Sequence, residues 1–191
     1  MKGEGRGLLD KLAARKVWID AAHANEMTLM DLLPFLAEKK LPYLVTHTQF
    51  RKYYKAERGI SEEEIQFIKT HDGMVALIPS EDLLSYLHSD STATCTSGLD
   101  TFKESIAYGA SLLGAERITL GSDINAPLNG LSASCTTVVG SNTHDLSKKG
   151  FYTYSQWPEL ARFIAPHPLT ATQWNQQTLA QFLKLWRSIR P

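Results

Sequence analysis

The sequence predicts an α/β fold in which parallel strands are covered by helices on at least one face. Three observations predict it. Compact, almost wholly apolar runs recur four times, segments of helical period alternate with them, and Gly, Pro or Asp-Gly marks the boundaries. Strands buried on both faces lose the apolar–polar alternation of a half-exposed strand, so uniform apolar runs point to parallel pairing.

The elements follow in order. Gly7 to Ala14 carries Leu8, Leu9 and Leu12 at helical spacing and reads as a short helix. Val17-Trp18-Ile19-Asp20-Ala21 is the first predicted strand. Thr28 to Lys39 returns to helical period, with Leu29, Leu32, Leu33 and Leu36 on one face and Lys39 and Lys40 in the last turn. After Pro42, Tyr43-Leu44-Val45-Thr46 is the second strand. Ser61-Glu62-Glu63-Glu64 is a capping box opening a helix that runs to about Thr70 and stops at Asp72-Gly73. Met74 to Ile78 is the third strand, ended by Pro79. A polar stretch from Ser80 to Gly98 precedes a helix from Thr101 to Leu113, for which Gly114 supplies a left-handed stop. Arg117-Ile118-Thr119-Leu120 is the fourth strand and breaks at Gly121-Ser122-Asp123.

Beyond Asp123 the pattern fails. Residues 125–150 are rich in Ser, Thr, Asn and Gly and read as a long irregular loop, a length that is usually a functional lid or disordered. Two helical segments close the chain: Trp157 to Ile164, and about 172–189, where Leu179, Phe182, Leu183 and Trp186 form an apolar stripe. The expectation is one domain over 1–191 with about four parallel strands, which is half of a (β/α)8 barrel.

Composition narrows the function. The 191 residues hold 20 Lys+Arg against 20 Asp+Glu, so no broad positive field favours nucleic acid or an anionic membrane. The local run Arg51, Lys52, Lys55 with Tyr53 and Tyr54 is too small to change that. No stretch approaches the roughly 18 apolar residues of a membrane span. Met1 to Gly7 lacks the apolar core of a secretory signal, which makes a cytoplasmic location the default unless a longer parent is exported. Cys95 and Cys135 lack metal-clip spacing and are expected as free thiols, with mutual pairing left open.

In parallel α/β folds the chemistry sits where strands end. The four strand ends here carry Asp20-Ala-Ala-His23, Thr46-His47-Thr48, Pro79 and Gly121-Ser-Asp123. Two histidines and a carboxylate at three C-terminal strand ends converge on one place. Imidazole suits zinc, and a carboxylate can ligate, orient a water or take its proton. Asp20 is expected to orient a ligating histidine or to cap its loop. His71 needs no more explanation than a helix end, while His88, His144 and His167 fall in polar loops. Arg58 offers a planar fork suited to a carboxylate.

These segments resemble the membrane dipeptidase family (renal dipeptidase-like, peptidase family M19) of the amidohydrolase superfamily. Ile19-Asp20-Ala-Ala-His23 is similar to its "IDLSH" element and Val45-Thr46-His47-Thr48 to its "SHS" element. Arg58-Gly-Ile-Ser-Glu-Glu-Glu-Ile, Asp72-Gly73-Met-Val-Ala and Leu120-Gly-Ser-Asp123-Ile-Asn resemble, in the family's order, its "RN(I/V)xD", "GGVIG" and "GSDFDG" stretches. The segment Phe151 to Leu160 is similar to the one before the family's closing helix.

The resemblance implies the C-terminal half of a TIM-like barrel with a two-zinc centre that hydrolyses dipeptides. It assigns His23 and His47 to one metal, Arg58 to the substrate's terminal carboxylate, and Asp123 to the proton of the attacking water. The family's "HxD" pair and the glutamate bridging both metals have no counterpart here. Asn125-Ala126 stands where the family has a second Asp-Gly, and Trp174-Asn175-Gln176-Gln177 replaces the start of its closing helix. The expectations are therefore one zinc or none in this chain, no activity alone, and a partner that is the missing half-barrel or a second copy. A non-catalytic binding protein and another amidohydrolase-type activity are the alternatives.

Overall fold

A computed structural model of the chain describes residues 3–84, 98–123, 130–132, 146 and 150–190. Most of the predicted 125–150 loop, both cysteines, His88, His144 and Asn125-Ala126 lie outside them. Helix α1 (Gly3–Ala14) is followed by α2 (Glu26–Lys39), β1 (Tyr43–Thr48), α3 (Glu62–His71), β2 (Gly73–Leu77), α4 (Gly98–Leu113), β3 (Ile118–Leu120), α5 (Trp157–Ile164) and α6 (Ala171–Ser188). The strands form one parallel sheet in the order β1-β2-β3.

Among the described residues the sheet has three strands where four were expected. Val17 to Ala21 contributes a single parallel bridge, Asp20 to Leu44, with the Ala21 N–H donating to the Leu44 carbonyl at 2.9 Å. The ladder stops there because side-chain chemistry replaces its next rung. The Thr46 N–H, due to meet a backbone carbonyl, donates instead to Asp20 Oδ1 at 3.0 Å. The Ala21 carbonyl accepts from Ala24 N–H, turning the chain away from β1.

Alternation along β1 sorts the two faces. Tyr43 and Val45 join the large core formed with Leu29, Leu32, Phe35 and Leu36 of α2, Ile65 and Ile68 of α3, and Phe102 and Ile106 of α4. Leu44 and Met74 point the other way and are buried beneath Leu185 of α6, with Trp18 beside them. Helices thus cover one face completely, while on the other α6 crosses near the strand starts and Thr46 is left exposed. The Ser61–Glu64 capping box forms as the sequence predicts, and its carboxylate also takes the Tyr43 hydroxyl, tying α3 to β1.

Helix α6 docks by a different face from its apolar stripe. Its buried positions are Trp174, Thr178, Gln181 and Leu185, whereas Leu179, Phe182 and Leu183 remain exposed. Polar residues fill buried positions because they find partners. Gln181 Nε2 donates to Asp72 Oδ1 at 2.6 Å, Lys184 Nζ lies 2.6 Å from Asp72 Oδ2, and Arg117 Nε lies 3.3 Å from Oδ1.

Asp72 therefore fastens α6 to the start of β2. Burial would push its carboxyl up, but the hydrogen bonds from Lys184, the Gly73 N–H and Gln181, with the Lys184 charge, hold it below the ordinary 3.8. A carboxyl so depressed stabilises the fold above its unfolded pKa, and that contribution is lost as pH falls through the folded value. Asp72→Asn is expected to cost about 1–2 kcal/mol at neutral pH, with the difference from wild type vanishing in acid. Urea denaturation across pH measures it; a cost independent of pH contradicts the account.

Candidate metal centre

Three elements deliver three donor groups to one end of the sheet. The first comes from β1, whose register against β2 slips between Val45 and Thr48. A bulge of this kind re-aims a side chain, and its result is that Thr46 Oγ1 and His47 Nδ1, from adjacent residues, lie 3.0 Å apart. On a regular strand neighbouring side chains point to opposite faces.

The second donor is His23, at the tip of the turn after the Asp20 bridge. The Ala22 N–H closes this turn on Asp20 Oδ1 at 3.0 Å, and His23 adopts a left-handed φ of 65°. The third is Asp123, φ 36°, just beyond β3. The Gly121 N–H holds this crossing by donating to the Leu77 carbonyl at 2.9 Å. A side chain at 121 would run into the Thr46 carbonyl oxygen, so only glycine lets β3's exit pass this close to β1.

His23 Nε2 and His47 Nε2 face each other at 2.8 Å, and Asp123 Oδ2 lies 3.9 Å from His47 Nε2. One atom from each of the three residues falls within 4.8 Å of the others. Arg58 lies in the loop that follows β1. The Thr48 hydroxyl donates to its carbonyl at 2.7 Å, and the Phe50–Ile60 bridge folds the intervening loop back. Its Nε and Nη2 are buried and, among the described residues, have no hydrogen-bond partner. Two buried guanidinium donors without acceptors are costly unless an anion completes them.

A family model for membrane dipeptidase, peptidase family M19, matches residues 2–136. The chain belongs to the membrane dipeptidase family. It is similar to an uncharacterized protein in the pqqA 5' region of Klebsiella pneumoniae, 23% identical over 121 residues, 63% of this chain and 42% of that protein. A metallo peptidase from Rhodobacter sphaeroides, crystallised with a phosphinate mimic of the dipeptide L-Ala-D-Ala, matches 97% of this chain and 46% of its own at TM-score 0.70 and 15% identity. The probable dipeptidase PvdM from Pseudomonas aeruginosa matches 100% of this chain and 55% of its own at TM-score 0.71 and 14% identity. This membrane dipeptidase family chain thus spans about half the length of the proteins it resembles.

Despite the family's name, no helix among the described residues is long and apolar enough to cross a membrane. The donor set fits a metal of the zinc type. Two imidazoles and a carboxylate are a known catalytic zinc triad, and the 2.8 Å between the imidazole nitrogens approaches the roughly 3.3 Å that a tetrahedral zinc with ordinary bond lengths requires. Two members of the basic run at 51–55 are already engaged: Arg51 pairs with Glu26 at 3.3 Å, and Lys52 lies 4.4 Å from the centre of the Tyr108 ring. Thr46 and Gly121 support the centre, a role that their place in the sequence does not announce. Thr46 stood inside the motif as a strand residue, and Gly121 as a strand stop.

Proposed function

We propose that this chain is the C-terminal half of a (β/α)8 dipeptidase-type metallohydrolase over 1–191, in which His23, His47 and Asp123 hold zinc and Arg58 binds the substrate's terminal carboxylate. The convergence of two imidazoles and a carboxylate within 4.8 Å carries the reading. Zinc, when bound, supplies Lewis acidity for the amide carbonyl and for a water. Asp123 holds the proton released when that water attacks and returns it to the leaving amine. Arg58, with two buried donors that have no partner among the described residues, fixes the dipeptide's carboxylate and so its register.

The missing half is proposed to cover the open edge at Val17 and the exposed stripe Leu179, Phe182 and Leu183. An uncovered strand edge beside exposed apolar residues favours association. The sequence lacks the family's "HxD" pair and bridging glutamate, so one zinc or none is expected in this chain alone and two in a complete barrel.

The test is dipeptidase activity with zinc. The chain alone should show none. Mixed with an "HxD"-bearing half it should turn over dipeptides, Asp123→Asn should abolish that turnover, and Arg58→Lys should mainly raise KM. Robust turnover by the chain alone would refute the half-barrel part. Zinc binding without turnover in any assembly would favour a binding role.

A further inference from the structure

We infer that Thr46, held by Asp20, is a positioning residue that fixes the His47 imidazole with its proton on Nδ1 and leaves Nε2 as a bare ligand atom. The inference rests on the metal reading for its purpose, though its hydrogen-bond logic does not need a metal. Asp20 Oδ1 accepts from two backbone donors, the Ala22 and Thr46 N–H groups, each at 3.0 Å. Oδ2 accepts from the Thr46 hydroxyl at 2.5 Å. A carboxylate has only acceptors to offer, so the one hydroxyl proton of Thr46 is committed to it.

Thr46 Oγ1 then faces His47 Nδ1, 3.0 Å away, with only lone pairs to present. The contact requires the proton to sit on Nδ1. His47 Nε2 accordingly carries a lone pair, and that lone pair meets His23 Nε2 at 2.8 Å. Two lone pairs do not approach so closely, so His23 donates there from Nε2. The two histidines are not equivalent. His47 is set for metal before any metal arrives, whereas His23 must give up its Nε2 proton when one binds.

The register shift in β1 accompanies this arrangement, in which adjacent residues 46 and 47 bring their side chains together. Asp20 serves both layers. Its Oδ1 ends the strand ladder by taking the Thr46 N–H, and its Oδ2 polarises the hydroxyl that orients the ring. Ligating histidines generally hand their second N–H to such an acceptor, and losing it typically costs about 10- to 100-fold in metal affinity.

Nitrogen-15 NMR of the metal-free 191-residue chain, labelled at histidine and held in mildly alkaline buffer where imidazole is neutral, reads the tautomer directly. Wild type should show His47 protonated at Nδ1 and His23 at Nε2. Thr46→Val, a β-branched replacement on an exposed strand position, should release His47 to a tautomer mixture and weaken zinc binding by about 10- to 100-fold. Thr46→Ser should restore both.

Asp20→Asn is the sharper variant. Its amide would donate to Thr46 Oγ1, free the hydroxyl proton for His47 Nδ1, and move the His47 proton to Nε2. A wild-type His47 protonated at Nε2, or a tautomer that neither Thr46→Val nor Asp20→Asn changes, would overturn the inference. If the tautomers behave as stated but zinc titration shows no binding by wild type, the positioning stands and the metal reading falls.

Discussion

Trp174→Ala is expected to lower stability by about 3–5 kcal/mol, the range for deleting a buried aromatic side chain. Trp174 is 1% exposed in the first turn of α6. That turn is fixed by a capping box in which Thr170 Oγ1 takes the Gln173 N–H and the Gln173 side chain returns to the Thr170 N–H. The indole does more than fill space. Its Nε1 donates to the Ala115 carbonyl at 3.0 Å and the Ile118 carbonyl at 2.9 Å, both at the entry to β3. The ring therefore fixes where α6 begins, while Asp72 fixes where it passes the start of β2. For a chain of this size the cost corresponds to a fall in Tm of roughly 6–20 °C. Trp174→Phe keeps most of the apolar volume and abandons the two carbonyls, so it should cost about 1–3 kcal/mol. Thermal and urea denaturation followed by circular dichroism measure both. A loss below about 1 kcal/mol for Trp174→Ala would mean that α6 does not depend on this anchor.

What the sequence made legible was local. Ser61-Glu62-Glu63-Glu64 announces a capping box, and Gly114, with a φ of 91°, ends α4 where a left-handed residue was expected. Both signals act within a few residues, so no tertiary information is needed to read them. The Asn25 cap of α2 is equally local, yet the expected start at Thr28 follows the apolar period and misses it. Its side chain accepts from the Thr28 N–H at 2.9 Å and starts the helix at Glu26, two positions before the apolar periodicity begins. Polar capping chemistry and apolar period set a helix start independently, and here the cap prevails.

Elements whose state depends on partners were not legible. The run Val17 to Ala21 has the composition of a buried strand but pairs only at Asp20, because a carboxylate takes the next backbone donor. Along α6, hydropathy points to Leu179, Phe182 and Leu183, whereas the packed face includes Thr178 and Gln181. A glutamine is a favourable buried residue only once an acceptor such as Asp72 is known to await it. For the site, the strand-end rule selected His23, His47 and Asp123 as a convergent set, and they lie together. It passed over Thr46, since period-2 geometry puts residue 46 on the face opposite 47, whereas beside the register shift their side chains meet.

Gly121→Ala should damage the fold and the centre together. At 121 a methyl group would strike the Thr46 carbonyl oxygen and approach His47 Cα and Cβ to 3.0 and 3.1 Å. These are mostly backbone atoms of a paired strand and cannot rotate aside as a flexible side chain would. Relief requires the exit of β3 to move away from β1, which stretches the 2.9 Å bond from the Gly121 N–H to the Leu77 carbonyl. Overpacking of this sort costs about 1–3 kcal/mol. The same displacement carries Asp123, two residues on, away from His47 Nε2, now 3.9 Å from its carboxylate. Zinc affinity should then fall at least about tenfold, the scale seen when a metal site's supporting contacts are lost. Asp123→Asn separates the two effects. The residue is exposed, so this change should weaken zinc binding while leaving stability within about 0.5 kcal/mol of wild type. Zinc titration and urea denaturation on both variants decide the matter. If Gly121→Ala and Asp123→Asn both bind zinc like wild type, Asp123 is no ligand.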